Sequence, residues 1–190
     1  SGNNISGVYK STNKGLNWTS LPITGVNSSG FDWYFGLIET DPSNSNTLYI
    51  GSVDVFRTTN NGTSWTNLTN AYSGTFDQQH PDQHALWISP TNGQLLIGGN
   101  DGGIFISTNG GTNWSKKYEL PISQYYAGCI DFLNPSKKYG GTQDNGSHGS
   151  INAGQAGWAV LYGGDGFHCQ VDYTNSSVIY MESQNGGIGR

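Results

Sequence analysis

The chain has 190 residues, of which 34% are hydrophobic and 11% are charged, and its formal net charge is −5. This length allows a sizeable core, while the 29 glycines and the many Asn, Ser and Thr residues favour an all-β protein of short strands and tight turns. The sparse negative charge, without a basic cluster, argues against nucleic acid or an anionic membrane as a partner, and no apolar run is long enough to insert as a membrane helix.

In chain order, the first recognisable element is an eight-residue motif, Ser/Thr-x-Asn-x-Gly-x-(Thr/Asn/Ser)-Trp, which begins at residues 11, 58 and 107. Its hydroxyl, Asn and Gly suit a closed hairpin turn, and its Trp can bury a large apolar area against the sheet beneath. The intervals of 47 and 49 residues leave room for four short strands per unit, which is typical of a β-propeller blade. The defining residues are Ser11, Asn13, Gly15, Trp18, Thr58, Asn60, Gly62, Trp65, Ser107, Asn109, Gly111 and Trp114.

The repeat predicts an all-β fold, a β-propeller built of four-stranded antiparallel blades, in a single segment over residues 1–190. The expected parts are a partial blade over 1–23, blades over about 31–70, 80–120 and 124–162, and a partial blade over 166–190. The inner strand of the first full blade is expected over 34–39. In the last full blade, residues 147–158 keep only the terminal Trp, so a longer loop is expected instead of the hairpin.

The motif resembles the Asp-box, or BNR, repeat, with Asn where that family more often has Asp. Proteins with this repeat include sialidases, sortilin/Vps10 propellers and xyloglucan-cleaving glycoside hydrolases. The pattern His-x-Asp-x-His-x-Leu-Trp from residue 80, with Gly-Gly-Asn-Asp-Gly-Gly from 98, Gly-Gly-Thr-Gln-Asp-Asn-Gly from 140 and Gly-Gly-Asp-Gly-Phe from 163, is similar to a secreted sortilin/Vps10-like group among bacterial surface proteins. The resemblance implies that the box is a structural turn away from the functional site. It also implies more than four blades, so we predict part of a larger propeller, completed by more of the chain or by another copy.

Polar residues gather in the connections beside the inner strands, which in a propeller meet at the channel face. The candidate ligand-binding residues are His80, Asp82, His84, Asp101, Asp144, Asp165 and His168. Because alternate residues of an extended chain face one side, His80, Asp82 and His84 are candidates for a metal centre or a sugar site. The alternative is that the Asp-Gly pairs form turns and the histidines bind loop backbone. Apart from a possible bound metal ion, no cofactor is predicted.

Two enzyme activities, those of a sialidase and of a glycosidase, can be compared with the residues present. Sialidase chemistry holds its substrate carboxylate with three arginines, whereas this chain has only Arg57 and Arg190, and Arg57 is expected to form a surface pair. A glycosidase needs two carboxylates, for which the catalytic candidates are Asp101, Asp144 and Asp165. The sequence therefore favours a binding or structural module that recognises glycan or protein at its channel face. A xyloglucanase-like glycoside hydrolase and a self-assembling cell-surface protein remain the alternatives.

Three further features bear on location and ligand. Aromatic residues at blade starts either stack on sugar or pack between blades: Trp33, Tyr34, Phe35, Tyr125, Tyr126 and Trp158. The glycosylation sequons begin at Asn4, Asn17, Asn27, Asn61, Asn67, Asn113, Asn145 and Asn175, which favours an extracellular, secreted or cell-surface glycoprotein. Cys129 and Cys169 are expected to form a disulfide or to remain buried free thiols. The first residues do not resemble a signal peptide, so a mature product or a fragment is expected.

Overall fold

The computed structural model describes residues 4–27, 29–72, 79–118, 120, 123–150 and 157–190. These residues form five antiparallel sheets, with one helical turn, α1 (Asp32–Phe35), and one 3-10 turn (Gln184–Gly186). No helix among the described residues has the length and apolar character needed to cross a bilayer. The chain divides into two compact units, unit 1 (Ser1–Leu120) and unit 2 (Pro121–Arg190).

Unit 1 contains three sheets in which each strand pairs antiparallel with the next strand along the chain. The strands are β1 (Val8–Lys10) and β2 (Thr19–Leu21) in the first sheet, β3 (Leu37–Thr40), β4 (Leu48–Gly51), β5 (Val55–Thr58) and β6 (Thr66–Asn67) in the second, and β7 (Gln83–Ser89), β8 (Asn92–Asn100), β9 (Gly103–Ser107) and β10 (Ser115–Lys116) in the third. The first strands of the two four-stranded sheets, β3 and β7, lie next to each other. The core of unit 1 consists of Tyr49, Val55, Leu86, Ile88, Leu96, Phe105 and Trp114.

Unit 2 repeats this plan with two sheets. Its strands are β11 (Tyr125–Ile130), β12 (Lys138–Thr142), β13 (Gly146–Ser150) and β14 (Trp158–Tyr162) in one sheet, and β15 (Cys169–Val171), β16 (Ile179–Ser183) and β17 (Gly187–Gly189) in the other. Strands β11 and β15 lie side by side, and Tyr139, Val171 and Met181 form a buried cluster. A loop was expected over residues 147–158 in place of a hairpin, but residues 147–150 belong to β13 and Trp158 begins β14, and these two strands pair antiparallel. Residues 151–156 between them lie outside the described residues. Because a four-stranded antiparallel meander is the building block of a propeller, the predicted fold class is confirmed.

All three copies of the eight-residue motif form a turn that connects the last two strands of a sheet in unit 1. In the third copy, Ser107 Oγ accepts hydrogen bonds from the N–H groups of Asn109 at 3.3 Å and Gly111 at 2.8 Å. Asn109 Oδ1 in turn accepts the N–H of Asn113 at 2.9 Å. The first and second copies make the same bonds. The glycine is required because it adopts the left-handed conformation, with φ of 86° at Gly111.

The tryptophan that ends each motif is not always buried, which corrects the expectation that it holds every turn against the sheet. Trp114 lies in the core and is 7% exposed, whereas Trp18 is 62% exposed. Trp18 Nε1 donates to the carbonyl of Gly15 in its own turn at 3.1 Å. Trp65 Nε1 donates to the carbonyl of Pro22, which directly follows β2, at 2.9 Å. The hydroxyl, amide and glycine therefore close the turn, and the neighbouring sheet decides whether the indole is buried.

A basic residue directly before two of the motifs links neighbouring hairpins. Lys10 Nζ donates to Asn61 Oδ1 at 2.7 Å, and Arg57 Nη1 donates to the carbonyl of Gly110 at 2.8 Å. Asn61 and Gly110 both occupy the fourth position of the next motif along the chain. Arg57 was expected to form a surface ion pair, and the structure shows instead a bond to a main-chain carbonyl. These bonds connect each outer hairpin to the next one in unit 1.

A second repeated loop joins the first two strands of three sheets, over residues 41–47, 131–137 and 172–178. Each loop has Asp at its first position and Asn at its fourth, and the N–H of the fourth residue donates to the carbonyl of the first. In the last loop, Asp172 Oδ1 accepts the N–H groups of Thr174 at 2.7 Å and Asn175 at 3.1 Å. The shared Asp-x-x-Asn spacing is the sequence signal that identifies this loop.

Residues 34–36, expected to begin an inner strand, instead complete the α1 turn, and β3 starts at Leu37. Asp32 holds this turn through contacts distant in sequence, because its carboxylate accepts the hydroxyl of Ser52 at 2.5 Å and the N–H of Ile5 at 3.3 Å. The N–H of Gly36 donates to the carbonyl of Asp32 at 2.9 Å. A Cβ at Gly36 would lie 2.4 Å from that oxygen, so only glycine allows the turn to close this tightly.

Candidate functional site

A short polar contact in unit 1 joins two of the predicted site residues, His84 and Asp101. His84 is the second residue of β7, and Asp101 lies in the turn between β8 and β9. His84 Nε2 and Asp101 Oδ1 are 2.6 Å apart, and both side chains keep contact with solvent. The turn is fixed by the N–H of Gly102, which donates to Asn100 Oδ1 at 3.0 Å. The carboxylate therefore orients the imidazole of His84.

His80 does not share this environment. Its side chain is buried, and its Nδ1 lies 3.1 Å from the carbonyl of Pro81. A Cβ on Gly102 would lie 2.5 Å from the Cβ of His80, so the glycine turn rests directly on the histidine. The main-chain carbonyl of His80 accepts a hydrogen bond from Gln83 Nε2 at 2.6 Å. His80 therefore occupies the role that the alternative interpretation gave to the histidines, that of binding loop backbone.

The alternation that would place His80, Asp82 and His84 on one face requires extended backbone, and Asp82 has a φ of 65°. Asp82 instead lies near the other carboxylate of the site: one of its oxygens is within 4.8 Å of a carboxylate oxygen of Asp101. Asp82 and Asp101 are thus the unit 1 residues whose carboxylate oxygens come close enough together to suit a divalent cation. Exposed carboxylates often group without an ion, so this donor set alone does not define a metal site.

An exposed group of aromatic residues lies beside the His84–Asp101 pair. Residues 31–35 form the aromatic turn, in which Trp33 is 69% and Tyr34 65% exposed, Phe31 is also exposed, and Phe35 is buried. The ring of Tyr34 meets that of His84 edge to face, with centroids 5.4 Å apart and planes at 83°. Because the Asp32 carboxylate fixes the turn through hydrogen bonds with Ser52 and Ile5, the exposed rings lie on a fixed backbone.

In unit 2, Asp144 and Asp165 are brought together, as the two connections that carry them meet. The N–H of Asp144 donates to Asp165 Oδ1 at 2.7 Å, and the N–H of Asp165 donates to Gln184 Oε1 at 2.9 Å. Burial raises the pKa of Asp165; the N–H of Asp144 acts in the opposite direction, while the hydrogen bond and negative charge of the Asp144 carboxyl raise that pKa further. The two carboxyl groups therefore interact, and Asp165 holds a proton more readily than an isolated aspartate does.

The glycines around this acid pair allow close packing of backbone. A Cβ at Gly141 would lie 2.2 Å from the carbonyl oxygen of Phe167, and one at Gly166 would lie 2.4 Å from that of Gly146. The N–H of Gly166 donates to the main-chain carbonyl of Thr142 at 2.8 Å. Close packing of backbone thus explains why glycine is required at Gly141 and Gly166.

His168, the remaining predicted site residue, directly precedes β15 and is exposed. Its main-chain carbonyl accepts the N–H of Glu182 at 2.9 Å, which extends the ladder between β15 and β16. The neighbouring Phe167 stacks on Tyr126, with ring centroids 5.1 Å apart and planes at 6°. Tyr126 of β11 therefore packs against the residue two positions before β15, although its ring stays largely exposed.

Sequence reasoning did not identify His148 as part of an aromatic group. His148 lies in β13, and the ring of Tyr125 in β11 meets it edge to face with centroids 6.1 Å apart. Tyr125 also contacts Trp158 of β14, with centroids 5.9 Å apart. These three rings cross one face of the sheet, and burial raises the pKa of Tyr125. This group depends on the strand register, which places His148 opposite Gly140 and Val160 and which the sequence alone does not show.

The sequon asparagines fall into two groups. Asn61, Asn67 and Asn145 use Nδ2 as a donor within the protein, to Asn46, Asp54 and the carbonyl of Gln143 respectively. The others have exposed side chains: Asn4, Asn17, Asn27, Asn113 and Asn175. Asn17 and Asn113 occupy the same seventh position of the repeated motif. Glycosylation of any of these residues stays a prediction.

No protein-family model matches the chain, and no curated protein matches it. Among solved structures, the chain is similar to a GH74 enzyme of Niastella koreensis (17% identity, TM-score 0.47, 98% of this chain and 28% of that one). It is also similar to a GH74 xyloglucanase of Xanthomonas campestris (13%, 0.44, 96% and 40%) and to an ancestral GH74 enzyme (21%, 0.42, 92% and 24%). The chain thus spans well under half the length of these proteins. At TM-scores below 0.5, the fold assignment depends on the sheet topology of this chain.

Proposed function

We propose that this chain is an extracellular, Asp-box propeller segment of the sortilin/Vps10-like type that binds a neutral glycan at the aromatic turn of unit 1. The observation that carries the proposal is the exposure of the Phe31, Trp33 and Tyr34 rings on a turn fixed by Asp32. Grouped exposed rings of this kind mark interaction sites rather than ordinary surface. A fixed backbone also lowers the entropy that binding must overcome.

The neighbouring polar pair favours a sugar over an apolar peptide as the ligand. A pyranose ring presents C–H groups on its faces and hydroxyls around its edge, so it needs an aromatic surface and polar groups within a few ångströms of each other. The Tyr34 ring and the His84–Asp101 pair provide both, because Tyr34 contacts His84 directly. A few placed polar groups beside apolar surface are the usual composition of a small-ligand site.

The distribution of charge favours a neutral polymer. The cations of unit 1 are in the outer hairpins or directly beside them: Lys10, Lys14, Arg57, Lys116 and Lys117. The aromatic turn itself contributes Asp32, and Asp82 and Asp101 lie beside the histidine. A uronate or sulfated polymer would therefore meet negative charge without a compensating cation, and Coulomb repulsion would disfavour it.

A glycoside hydrolase is less well supported by the acid pair of unit 2. The Asp165 carboxylate accepts the main-chain N–H of Asp144 and interacts with the Asp144 carboxyl, whereas glycosidase carboxyl groups stand about 5 to 9.5 Å apart around the scissile bond. In unit 1, Asp101 is occupied by His84. We therefore expect no release of reducing ends when the protein is incubated with xyloglucan. Release that is lost in Asp101→Asn or Asp165→Asn would favour the enzyme instead.

Affinity electrophoresis tests the binding proposal. The wild-type chain is run in native gels that contain xyloglucan, mixed-linkage glucan, galactan or polygalacturonate, beside the variant Trp33→Ala. We expect retardation by at least one neutral polymer, its loss in Trp33→Ala, and none by polygalacturonate. Retardation by the acidic polymer alone, or equal retardation of the variant, contradicts the proposal.

We also propose that the rest of the propeller is supplied by further chain or by another copy. The support is that β17 has a pairing partner on only one side among the described strands. Light scattering coupled to size exclusion separates the two sources, because self-completion gives a concentration-dependent multiple of the 20.4 kDa mass. A stable monomer that binds glycan contradicts self-completion, and it also contradicts the self-assembling surface protein as the function.

A further inference from the structure

We propose that Cys129 and Cys169 form a disulfide bond that joins the first strands of the two neighbouring sheets of unit 2. The bond is independent of the proposed glycan site, which lies in unit 1. The sequence predicts either a disulfide or two buried thiols. In the structure both are half-buried free thiols, and the positions of their side chains allow the cross-link.

Strand position directs the two cysteines toward the same interior. In β11, Ala127 and Cys129 are half-buried, while Tyr126, Gly128 and Ile130 between and beside them are exposed. In β15, Cys169 is half-buried and the next residue along the strand is exposed. Because successive side chains of a strand point to opposite faces, each cysteine lies on the face of its sheet that contributes to the buried cluster.

The cross-strand partners confirm that both thiols enter one cluster. Cys129 lies opposite Tyr139 of β12, and Cys169 lies opposite Met181 of β16. Tyr139 and Met181 belong to the same buried group, against which both cysteines pack. Strands β11 and β15 are themselves in contact. The two cysteines are forty residues apart in sequence, and the contact between the first strands of the two sheets, rather than a flexible loop, brings them together.

The Cys129 thiol, which extends from β11, contacts two residues of β15. It lies within hydrogen-bonding reach of the Cys169 thiol and of the main-chain N–H of Val171. Burial, followed by the neighbouring Cys169 thiol, raises the pKa of Cys129 to about 12. In the folded protein Cys129 is therefore protonated at neutral pH and a poor nucleophile. Oxidation is expected to be faster while the chain folds than after folding is complete.

The reaction needs a disulfide as oxidant, for example a low-molecular-weight disulfide or a disulfide oxidoreductase of an oxidising compartment. One protein thiol is deprotonated, attacks the oxidant, and releases one thiol as leaving group. The second protein thiol then attacks the mixed disulfide, which forms the Cys129–Cys169 bond and releases the second thiol. The two protein thiols are oxidised together, the oxidant is reduced to two thiols, and the two protons end on those thiols.

Mass spectrometry tests the proposal directly. The full chain is unfolded in denaturant with reductant, then refolded with a mixture of reduced and oxidised glutathione, blocked with iodoacetamide, and digested with trypsin. Lys137 and Lys138 lie between the cysteines, so cleavage places them in separate peptides, 118–137 and 139–190. We expect one cross-linked pair of these peptides, lighter than their sum by two hydrogen atoms. Glutathione adducts, carbamidomethylated thiols or links between two chains as the main product would overturn the proposal.

A matched pair of variants separates the bond from general reactivity. Under the same conditions, Cys129→Ala and Cys169→Ala each have one thiol and are expected to give a glutathione adduct or a blocked thiol. The oxidised wild type should also require more urea to unfold than the same protein after reduction, because the cross-link restricts the unfolded chain. If the reduced and oxidised wild type unfold at the same urea concentration, the cross-link does not join the two sheets as proposed.

Discussion

Removal of one hydroxyl from the repeated turn isolates the effect of burial on a hydrogen bond. Ser107 and Ser11 make the same three contacts in their turns, at 3.0, 3.3 and 2.8 Å. Ser107 is 1% exposed and the Gly111 N–H that it accepts is buried, whereas the equivalent glycine of the first turn, Gly15, is exposed. The substitutions Ser107→Ala and Ser11→Ala therefore differ in solvent access, not in bond geometry.

The expected magnitudes follow from that difference. In Ser107→Ala the buried N–H loses its acceptor and water does not replace it, which costs about 2 kcal/mol within the usual range for an unsatisfied buried group. In Ser11→Ala water takes the place of the hydroxyl, and the expected cost is about 0.5 kcal/mol. With a urea m-value of about 2 kcal/mol/M, the unfolding midpoint falls by about 1 M for Ser107→Ala and about 0.25 M for Ser11→Ala.

Urea unfolding followed by tryptophan fluorescence measures both variants. Five of the six tryptophans lie in unit 1, so the signal reports mainly on the unit that contains both turns. Ser107→Thr is the matched control, because Thr58 already makes the same bonds in the second turn. Equal midpoint shifts for Ser11→Ala and Ser107→Ala, or no recovery in Ser107→Thr, would refute the reasoning.

The remaining predictions concern three other positions. Asn109→Asp should unfold at the wild-type urea concentration and Asn109→Leu at a lower one, since Oδ1 of the side chain only accepts bonds in this turn. Arg57→Met should lower the urea midpoint by a few tenths of a molar while Arg190→Met does not, because Arg57 binds the carbonyl of Gly110. The hydroxyl and N–H of Thr174 hold the pKa of Asp172 below its usual value, so this carboxylate contributes stability above about pH 4, which is lost as the pH falls through the folded-state pKa. Asp172→Asn should therefore lose less stability than wild type between pH 6 and pH 3 in urea unfolding, and an unchanged pH dependence would contradict this.

The parts of the fold that could be predicted are those decided by neighbouring residues. Each eight-residue turn is closed by hydrogen bonds within its own octad, so its sequence was sufficient. Tyr34 and Phe35 of the α1 turn were predicted as strand, because the bonds that fix this turn reach from Asp32 to Ser52 and Ile5, which are distant in sequence. The exposure of Trp18 and the burial of Trp114 likewise depend on the sheet beside each turn, which the identical local motif does not encode.

The candidate site shows the same division. The connections that carry His84 and Asp101 were expected to meet because a strand order of meander type brings the start of the first strand beside the turn after the second. The exclusion of His80 was not visible, because it depends on the left-handed backbone at Asp82 and on the fit of Gly102 against the imidazole. Alternation of residues along the sequence predicts a shared face only where the backbone is extended.

The most direct test of the proposed function is a calorimetric titration of the wild-type chain, Trp33→Ala and Trp18→Ala with oligosaccharides of the neutral polymer that retards the protein. Both tryptophans are largely exposed in unit 1, but only Trp33 belongs to the aromatic turn. We predict that Trp33→Ala weakens binding by at least about tenfold, which corresponds to about 1.4 kcal/mol, while Trp18→Ala binds as wild type. Equal affinities for all three proteins, or a loss confined to Trp18→Ala, would contradict a glycan site at the aromatic turn.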